Sequence, residues 1–387
     1  MNFTLTDEQK MLADSAERYI RERYHFEPRR AIAKGETGFS REHWASFAEM
    51  GWLALTIPEE DGGLGGSAFD QALLMEYLGG GLVVEPVVDT AVLCGTLIRH
   101  SGNAALRENL LGRIAAGEAV LALAHEEQHS RHEYAADVTA TAKKLANGWS
   151  LSGVKHRVFH GGSADQWLVT AIPEGEKQAA VFVIDRNAAG TRYTTYELLD
   201  GSRGADITLT DVIVAEDALL LTAQQSGVAL EEAFDQAVLA LSSACLGSME
   251  AVMAMTADYL KTRVQYGKPL AQFQALQHRM SEMFVETDQA RSMLSSALAA
   301  IESGDLQRRR FAISGLKVVA ARAHYFVTAQ GIQLHGGIGT TDEYAVGHHY
   351  KFALMYDKRF GDSDFHLDRA NADLTNVEQP LKGGLYA

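Results

Sequence analysis

Cysteine is almost missing from this chain: 387 residues contain two, Cys94 and Cys245, far apart. That excludes a disulfide framework and the paired spacing of a cysteine-ligated metal. It suits a reducing compartment, so a cytoplasmic location is expected. Basic residues are outnumbered, with 35 Lys and Arg against 50 Asp and Glu, a formal net charge of −15. A general nucleic-acid binder needs a basic face, so no nucleic-acid partner is expected. One local basic pocket for an anionic ligand stays open. No apolar run reaches the length of a membrane helix. LLMEYLGGGLVVEPVVDTAVL is interrupted by Glu76, Glu85 and Asp89, so no membrane partner is expected either. The first twenty residues carry charges throughout and do not read as a signal peptide. Internal repeats and low-complexity tracts are also lacking.

What is present fits a globular protein with more than one domain: 47% hydrophobic and 22% charged residues over this length. Residues 1–118 read as an N-terminal helical domain. Thr6 and Gln9 have capping-box spacing, and Leu12, Ala16, Tyr19 and Ile20 follow one helical face. PEEDGGLGGS (Pro58–Ser67) interrupts it and reads as a surface loop. Residues 119–222 read as a β domain. VTATA alternates, Asn147-Gly148 signals a hairpin, and VFVID and ADITLTDVIV repeat the strand pattern. Residues 223–387 return to long helices. Leu276, Met280, Met283, Ala290 and Leu294 mark one buried face, which implies an antiparallel bundle. Arg308, Arg309 and Arg310 read as a solvated face. The fold class is therefore mainly α with a β domain.

Several motifs point elsewhere. HEEQH (His125–His129) matches the zinc pattern H-E-x-x-H, with His132 as a further candidate ligand. The pattern needs a helix, and this stretch lies where strands begin, so a zinc hydrolase is a remote alternative. HGGIG is like the oxyanion loop of esterases, but no G-x-S-x-G nucleophile elbow accompanies it. GGIGTTDE has Asp342 where a dinucleotide fingerprint needs its last glycine. QLHGGIGTT (Gln333–Thr341) holds three glycines in four positions. Either the backbone turns sharply there or something large approaches it.

Three segments in order are more specific: GWLALTIPEEDGGLGG (Gly51–Gly66), RVQYGKPLAQFQALQ (Arg263–Gln277) and QLHGG (Gln333–Gly337). Together they resemble the acyl-CoA dehydrogenases, over nearly the whole chain. The first is similar to the family's N-terminal signature. The second is similar to its Arg-x-x-Phe-Gly-x-Pro…Phe-Gln segment, with Tyr266 in place of the usual Phe. The third is similar to the Gln-x-x-Gly-Gly that contacts flavin adenine dinucleotide (FAD). The resemblance implies a helical domain, a β-barrel-like middle domain and a C-terminal four-helix bundle, usually assembled as tetramers. It implies α,β-dehydrogenation of an acyl-CoA thioester, with a carboxylate as base and FAD held across a subunit interface. Electron-transferring flavoprotein is the implied electron acceptor. By the same resemblance Arg263 meets the pyrophosphate, Gln274 and Gln333 bond the nucleotide end, Tyr266 joins them as a cofactor contact, and Gly336 and Gly337 let backbone approach. All six serve an FAD bound mainly by the neighbouring subunit.

The departures cluster elsewhere. The family's usual base falls on Phe360, and its second seat falls on Ala237 of the first bundle helix. Neither side chain can take a proton. The loop that lines flavin and substrate corresponds to HEEQHSRH, keeping only Glu126. The Trp-x-Thr that packs on the flavin corresponds to Arg157 and Phe159, and the helix arginine to Val238. What a subunit uses on its own flavin has changed, and what it extends to its neighbour remains. The chain therefore resembles the small, degenerate subunits of two-component acyl-CoA dehydrogenases, such as those acting on pimeloyl-CoA or sterol side chains. Those pair with a larger homologous subunit in a hetero-tetramer. A rival reading is a self-sufficient homo-oligomer with a relocated base, Asp362. Asp235 lies roughly 200° round the helix from Ala237 and is either a substrate contact or solvent-facing. A third reading is a structural homologue without flavin, for which Arg263→Ala leaves cofactor content unchanged.

Overall fold

The structure is a computed structural model that describes residues 5–129, 134 and 138–375. Helix α1 (Asp7–Arg23) opens the chain. The Gln9 backbone N–H donates to the Thr6 hydroxyl, and the Thr6 backbone N–H donates to the Gln9 side chain. This reciprocal pair satisfies two donors that a helix start leaves free. Ala16 and Tyr19 turn inward and are buried. Next come α2 (Phe26–Lys34), α3 (Arg41–Glu49) and α4 (Ala68–Gly80). A π-helical stretch, Val87–Cys94, then runs into α5 (Gly95–Arg99), and α6 (Ala104–Ala115) follows. The glycine-rich segment before α4 is a surface loop, as its composition predicts, and it is pinned by backbone hydrogen bonds. The N–H groups of Leu64, Gly65 and Gly66 donate to the carbonyls of Ala54, Ile57 and Leu55. Asp61 is buried against Arg107, 2.9 Å away.

The middle of the chain supplies β1 (Leu121–Ala124), β2 (Thr141–Leu145), β3 (Gly148–Phe159), β4 (Gln166–Pro173), β5 (Ala180–Asp185), β6 (Thr191–Glu197), β7 (Arg203–Val214) and β8 (Leu219–Leu221). They form one mixed sheet in the order β6-β7-β3-β2-β4-β5-β8, with β1 parallel to β4. The barrel-like region is thus a sheet whose ends are β6 and β8. The hairpin turn is Ala146-Asn147, one residue earlier than the Asn-Gly dipeptide, because Leu145 pairs with Gly148. Gly148 opens β3 at φ +137. Of VTATA, only Thr141 and Ala142 join the sheet.

The remainder is helical: α7 (Ala223–Thr262), a short hairpin of β9 (Val264–Gln265) and β10 (Lys268–Pro269), then α8 (Gln274–Glu302), α9 (Leu306–His335), α10 (Ala345–Lys358) and α11 (Ser363–Thr375). α7, α8, α9 and α10 pack as the bundle, and α11 lies on α9. Over an 18-residue window α7 has a mean hydropathy of 1.6, long and apolar enough to span a membrane. Counting uninterrupted apolar runs overlooked it. Of that window 72% is buried inside the protein, which makes α7 a core helix. α4 crosses α7 at backbone contact. A Cβ on Gly247 would lie 1.7 Å from the Glu76 carbonyl oxygen, and one on Gly79 would lie 2.0 Å from that of Ala244. Only hydrogen fits at those two positions.

Met283, Ala290 and Leu294 of α8 are buried, as their spacing predicts. The Arg308–Arg310 run is only partly a solvated face. Arg308 is exposed, while Arg309 pairs with Asp235 at 3.0 Å and Arg310 with Glu231 at 2.7 Å. Buried apolar side chains from all three regions form one continuous core.

Candidate functional site

The seat where the resemblance places a base is built by α7, the end of α10, the π-helical stretch, and β1 and β3. Phe360 has φ +57 and Gly361 φ +88. The first is uncommon for a residue with a Cβ and must be held there. Two buried side chains hold it. Lys317 of α9 donates to the carbonyls of Tyr356 and, at 2.8 Å, Arg359. The His366 Nε2–H donates to the Phe360 carbonyl at 2.8 Å. Burial lowers the Lys317 ammonium to about 7. So gripped, the loop sends the Phe360 ring inward, 5.9 Å from Phe234.

Beside it, the Arg359 guanidinium lies 4.0 Å from the centre of the Phe159 ring and 4.8 Å from that of Phe360. It also donates to Asp89 Oδ1 at 2.5 Å. Both partners of this pair are buried. The space that remains is about 30 Å³, walled by Phe360 and Phe159 among others. A second chamber of about 80 Å³ lies on the far side of the Asp89–Arg359 pair. Tyr134 closes the adjoining face, stacked on Phe234 at 4.8 Å.

Ala237 and Val238 are fully buried on α7. Asp362 accepts the Phe365 N–H at 3.0 Å, an N-capping bond at the start of α11. Asp235 does not face solvent. It is fully buried between Arg309 Nε at 3.0 Å and Arg369 at 2.9 Å, tying α7 to α9 and α11. Burial pushes its carboxyl up, against the pull of the two guanidinium groups. A helix carries buried charge there because the charges are matched.

HEEQH is not helical, so its histidines lack the facing geometry of the zinc pattern. His125 Nδ1 lies 3.1 Å from the Thr170 hydroxyl, Glu126 pairs with Arg157 at 2.8 Å, and Glu127 pairs with the buried Lys155 at 2.7 Å. Burial lowers Lys155 to about 8. His132 lies outside the described residues. Among the described residues no three His, Cys, Asp or Glu are grouped to hold a metal.

The other predicted residues lie together at one end of the bundle. Arg263 ends α7, Tyr266 sits in the β9–β10 turn, Gln274 begins α8, and Gln333 lies in the last turn of α9. His335 locks the junction. Its ring packs 4.7 Å from Tyr259 of α7 and 3.1 Å, Nε2 to hydroxyl, from Tyr344. Arg279 of α8 donates to Gln330 of α9 at 2.8 Å. Arg263, Tyr266, Gln274, Gln333, Gly336 and Gly337 are all exposed. Among the described residues, no side-chain hydrogen bond or ion pair occupies Arg263, Gln274 or Gln333. Gly336 and Gly337 differ in what their backbone requires. Gly336 turns the chain at φ +65, ψ −143, which favours glycine. Gly337 is not left-handed, and a Cβ there would meet nothing within 4 Å. Nothing among the described residues requires Gly337 to be glycine.

Residues 6–118 match the model of the acyl-CoA dehydrogenase N-terminal domain, and residues 227–374 match that of the C-terminal domain. The chain belongs to the acyl-CoA dehydrogenase family. Among relatives, it is 28% identical over 331 residues to mitochondrial isovaleryl-CoA dehydrogenase of Arabidopsis thaliana, covering 83% of this chain and 80% of the relative. Its fold is similar to a chain of the ChsE4–ChsE5 complex from Mycobacterium tuberculosis, with TM-score 0.87, 23% identity and coverage of 98% and 100%. It is also similar to the Tcur3481–Tcur3483 steroid ACAD, with TM-score 0.84, 27% identity and coverage of 96% and 99%.

Family members are FAD-dependent oxidoreductases acting on the CH–CH group of acyl-CoA. The exposed end of the bundle suits the nucleotide half of FAD: a guanidinium and two carboxamides without side-chain partners among the described residues, and an open glycine turn. The closed seat does not suit the flavin ring. Sequence reasoning missed Asp89, Arg359, Lys317 and His366. They are far apart along the chain and form no motif, so only the fold brings them together.

Proposed function

We propose that this chain is the base-lacking subunit of a two-component acyl-CoA dehydrogenase, and that it completes the FAD site of a homologous, base-bearing partner. One observation carries the reading. Where the resemblance places a base and flavin ring, Phe360, Arg359 and Phe159 pack together, while Arg263, Gln274 and Gln333 are exposed and, among the described residues, have no side-chain partner. In the assembly, FAD supplies the hydride acceptor and the partner supplies the carboxylate. This chain's part is to hold the nucleotide end with Arg263, Gln274 and Gln333 and to keep water from it. The Tcur3481–Tcur3483 steroid ACAD, a protein named as a pair, supports a mixed assembly at 27% identity. The substrate is an acyl-CoA thioester, the site of action is the cytoplasm, and electrons pass to an electron-transferring flavoprotein.

The test is to purify the chain alone and with the homologous subunit encoded beside it, and to record flavin spectra and turnover. The lone chain is expected to hold far less than one FAD and to be inactive, and the mixed assembly to be flavinated and active. Arg263→Ala is expected to strip flavin from the mixed assembly. Stoichiometric FAD with turnover in the lone chain would end the proposal.

A further inference from the structure

The hairpin between α7 and α8 differs in charge from the rest of the chain. Lys261, Arg263 and Lys268 fall within eight residues of a protein whose net charge is −15. Among the described residues only Lys261 has an acidic partner, Asp258 at 4.0 Å. The Lys268 ammonium instead lies 4.3 Å from the centre of the Phe273 ring. From this cationic tip projects Tyr266, 91% exposed, edge-on to Phe273 at 6.3 Å and at φ +53.

A left-handed conformation in a residue with a Cβ costs about 1–2 kcal/mol. The other non-glycine residues at positive φ are offset within the chain. Leu82, His160 and Phe360 are buried, Arg157 pairs with Glu126, and the Asp211 carboxylate accepts a hydrogen bond from the Ser152 hydroxyl. Tyr266 is neither buried nor hydrogen-bonded through its side chain, among the described residues. Its hydroxyl is also what distinguishes this chain from the phenylalanine of the family pattern.

Resting on the reading of a cofactor held by the partner, we propose that Tyr266, through its hydroxyl, is an added affinity determinant for that cofactor. Its phenolic O–H donates a hydrogen bond to an anionic oxygen of the diphosphate-bridged dinucleotide seated in the partner, beside the Arg263 guanidinium. Lys268 adds unpaired positive charge to the same spot. The resemblance implies a diphosphate beside Arg263, and the tip's chemistry suits it: two cations with no acidic partner among the described residues, and one neutral donor. A phenylalanine keeps the aromatic contact and loses the donor.

The test titrates FAD into the deflavinated mixed assembly and reads the dissociation constant by flavin fluorescence. Size-exclusion chromatography of the same samples reports subunit association. Tyr266→Phe is expected to weaken FAD binding about tenfold while association is unchanged. Lys268→Met is expected to weaken it less and to flatten its dependence on salt. A Tyr266→Phe constant within twofold of the parent overturns the proposal. So does a loss of FAD affinity that only tracks a loss of association, which would place the hydroxyl on the partner's polypeptide. If no mixed assembly forms, the two-component reading fails by itself. The same titration and twofold criterion then apply to the chain's own oligomer, where the hairpin meets a second copy. Failure of both assemblies to take up FAD overturns the assignment of Tyr266 as well.

Discussion

Lys317 makes the stability of this fold depend on pH in a direction that can be worked out. Its side chain is fully buried, its ammonium bonds two backbone carbonyls and lies 3.8 Å from the centre of the Tyr356 ring, and among the described residues no carboxylate is within ion-pair distance. Burial lowers its pKa from 10.5 to about 7. Below pH 7 the lysine is charged in the folded and unfolded chain alike. Between about 7 and 10.5 the folded chain has released the proton and the unfolded chain still holds it. The unfolded state then binds more protons, so stability rises with pH, by about 1.4 kcal/mol per unit at full separation. From pH 7 to 8.5 this group alone contributes a gain of about 1–2 kcal/mol. Lys155, lowered to about 8 by burial, adds a rise of the same sign at slightly higher pH, so the informative quantity is a difference. Urea unfolding of the parent and of Lys317→Met at pH 6.5, 7.5 and 8.5 supplies it. The methionine variant is expected to lose that part of the slope while retaining the contribution of Lys155. Parallel profiles over this range would refute the reasoning, because they would mean Lys317 does not titrate there.

Arg359→Met strands the buried Asp89 carboxylate and is expected to destabilise the chain by about 3–5 kcal/mol, with Asp89→Leu/Arg359→Met recovering most of that; denaturant midpoints for the singles and the double decide it. Gly336→Ala forces a side chain to φ +65 and is expected to cost about 1 kcal/mol or more. Gly337→Ala is expected to leave stability within about 0.5 kcal/mol and to lower the flavin content of the mixed assembly. Equal effects at the two glycines would contradict their separate roles. Asp362→Ala is expected to remove a helix cap at about 1 kcal/mol, and Asp362→Asn, which keeps an acceptor, is expected to leave the turnover of the assembly unchanged. A turnover collapse in the asparagine variant would reinstate Asp362 as a base.

Periodicity and punctuation made much of the architecture legible. The Thr6/Gln9 cap, the α8 stripe and the change from helix to strand and back each follow from local rules, and the quoted motifs carried the family. The turn at Ala146-Asn147 was displaced by one residue because pairing register, not the Asn-Gly dipeptide, sets where a hairpin closes. Arg309, Arg310 and Asp235 looked like surface charge for a different reason. A side chain's charge does not reveal whether a matching charge waits on another helix. The filled seat had the same difficulty. Phe360, where the family pattern implies a base, could be found by counting along the chain, but the Arg359 guanidinium between two rings and its bond to Asp89 join positions some 270 residues apart.

That packed pair bears on how the chain could change over evolutionary time. A carboxylate restored at position 360 by a single substitution would emerge beside the Arg359 guanidinium. It would be neutralised there, and the cavity would still be blocked. Clearing the guanidinium first abandons Asp89 in the interior. On the two-component reading, regaining independence needs changes at Phe360, Arg359 and Asp89, the last two of them together. On that reading the arrangement acts as a ratchet, because a carboxylate at position 360 is of no use until the buried pair has been replaced as a unit.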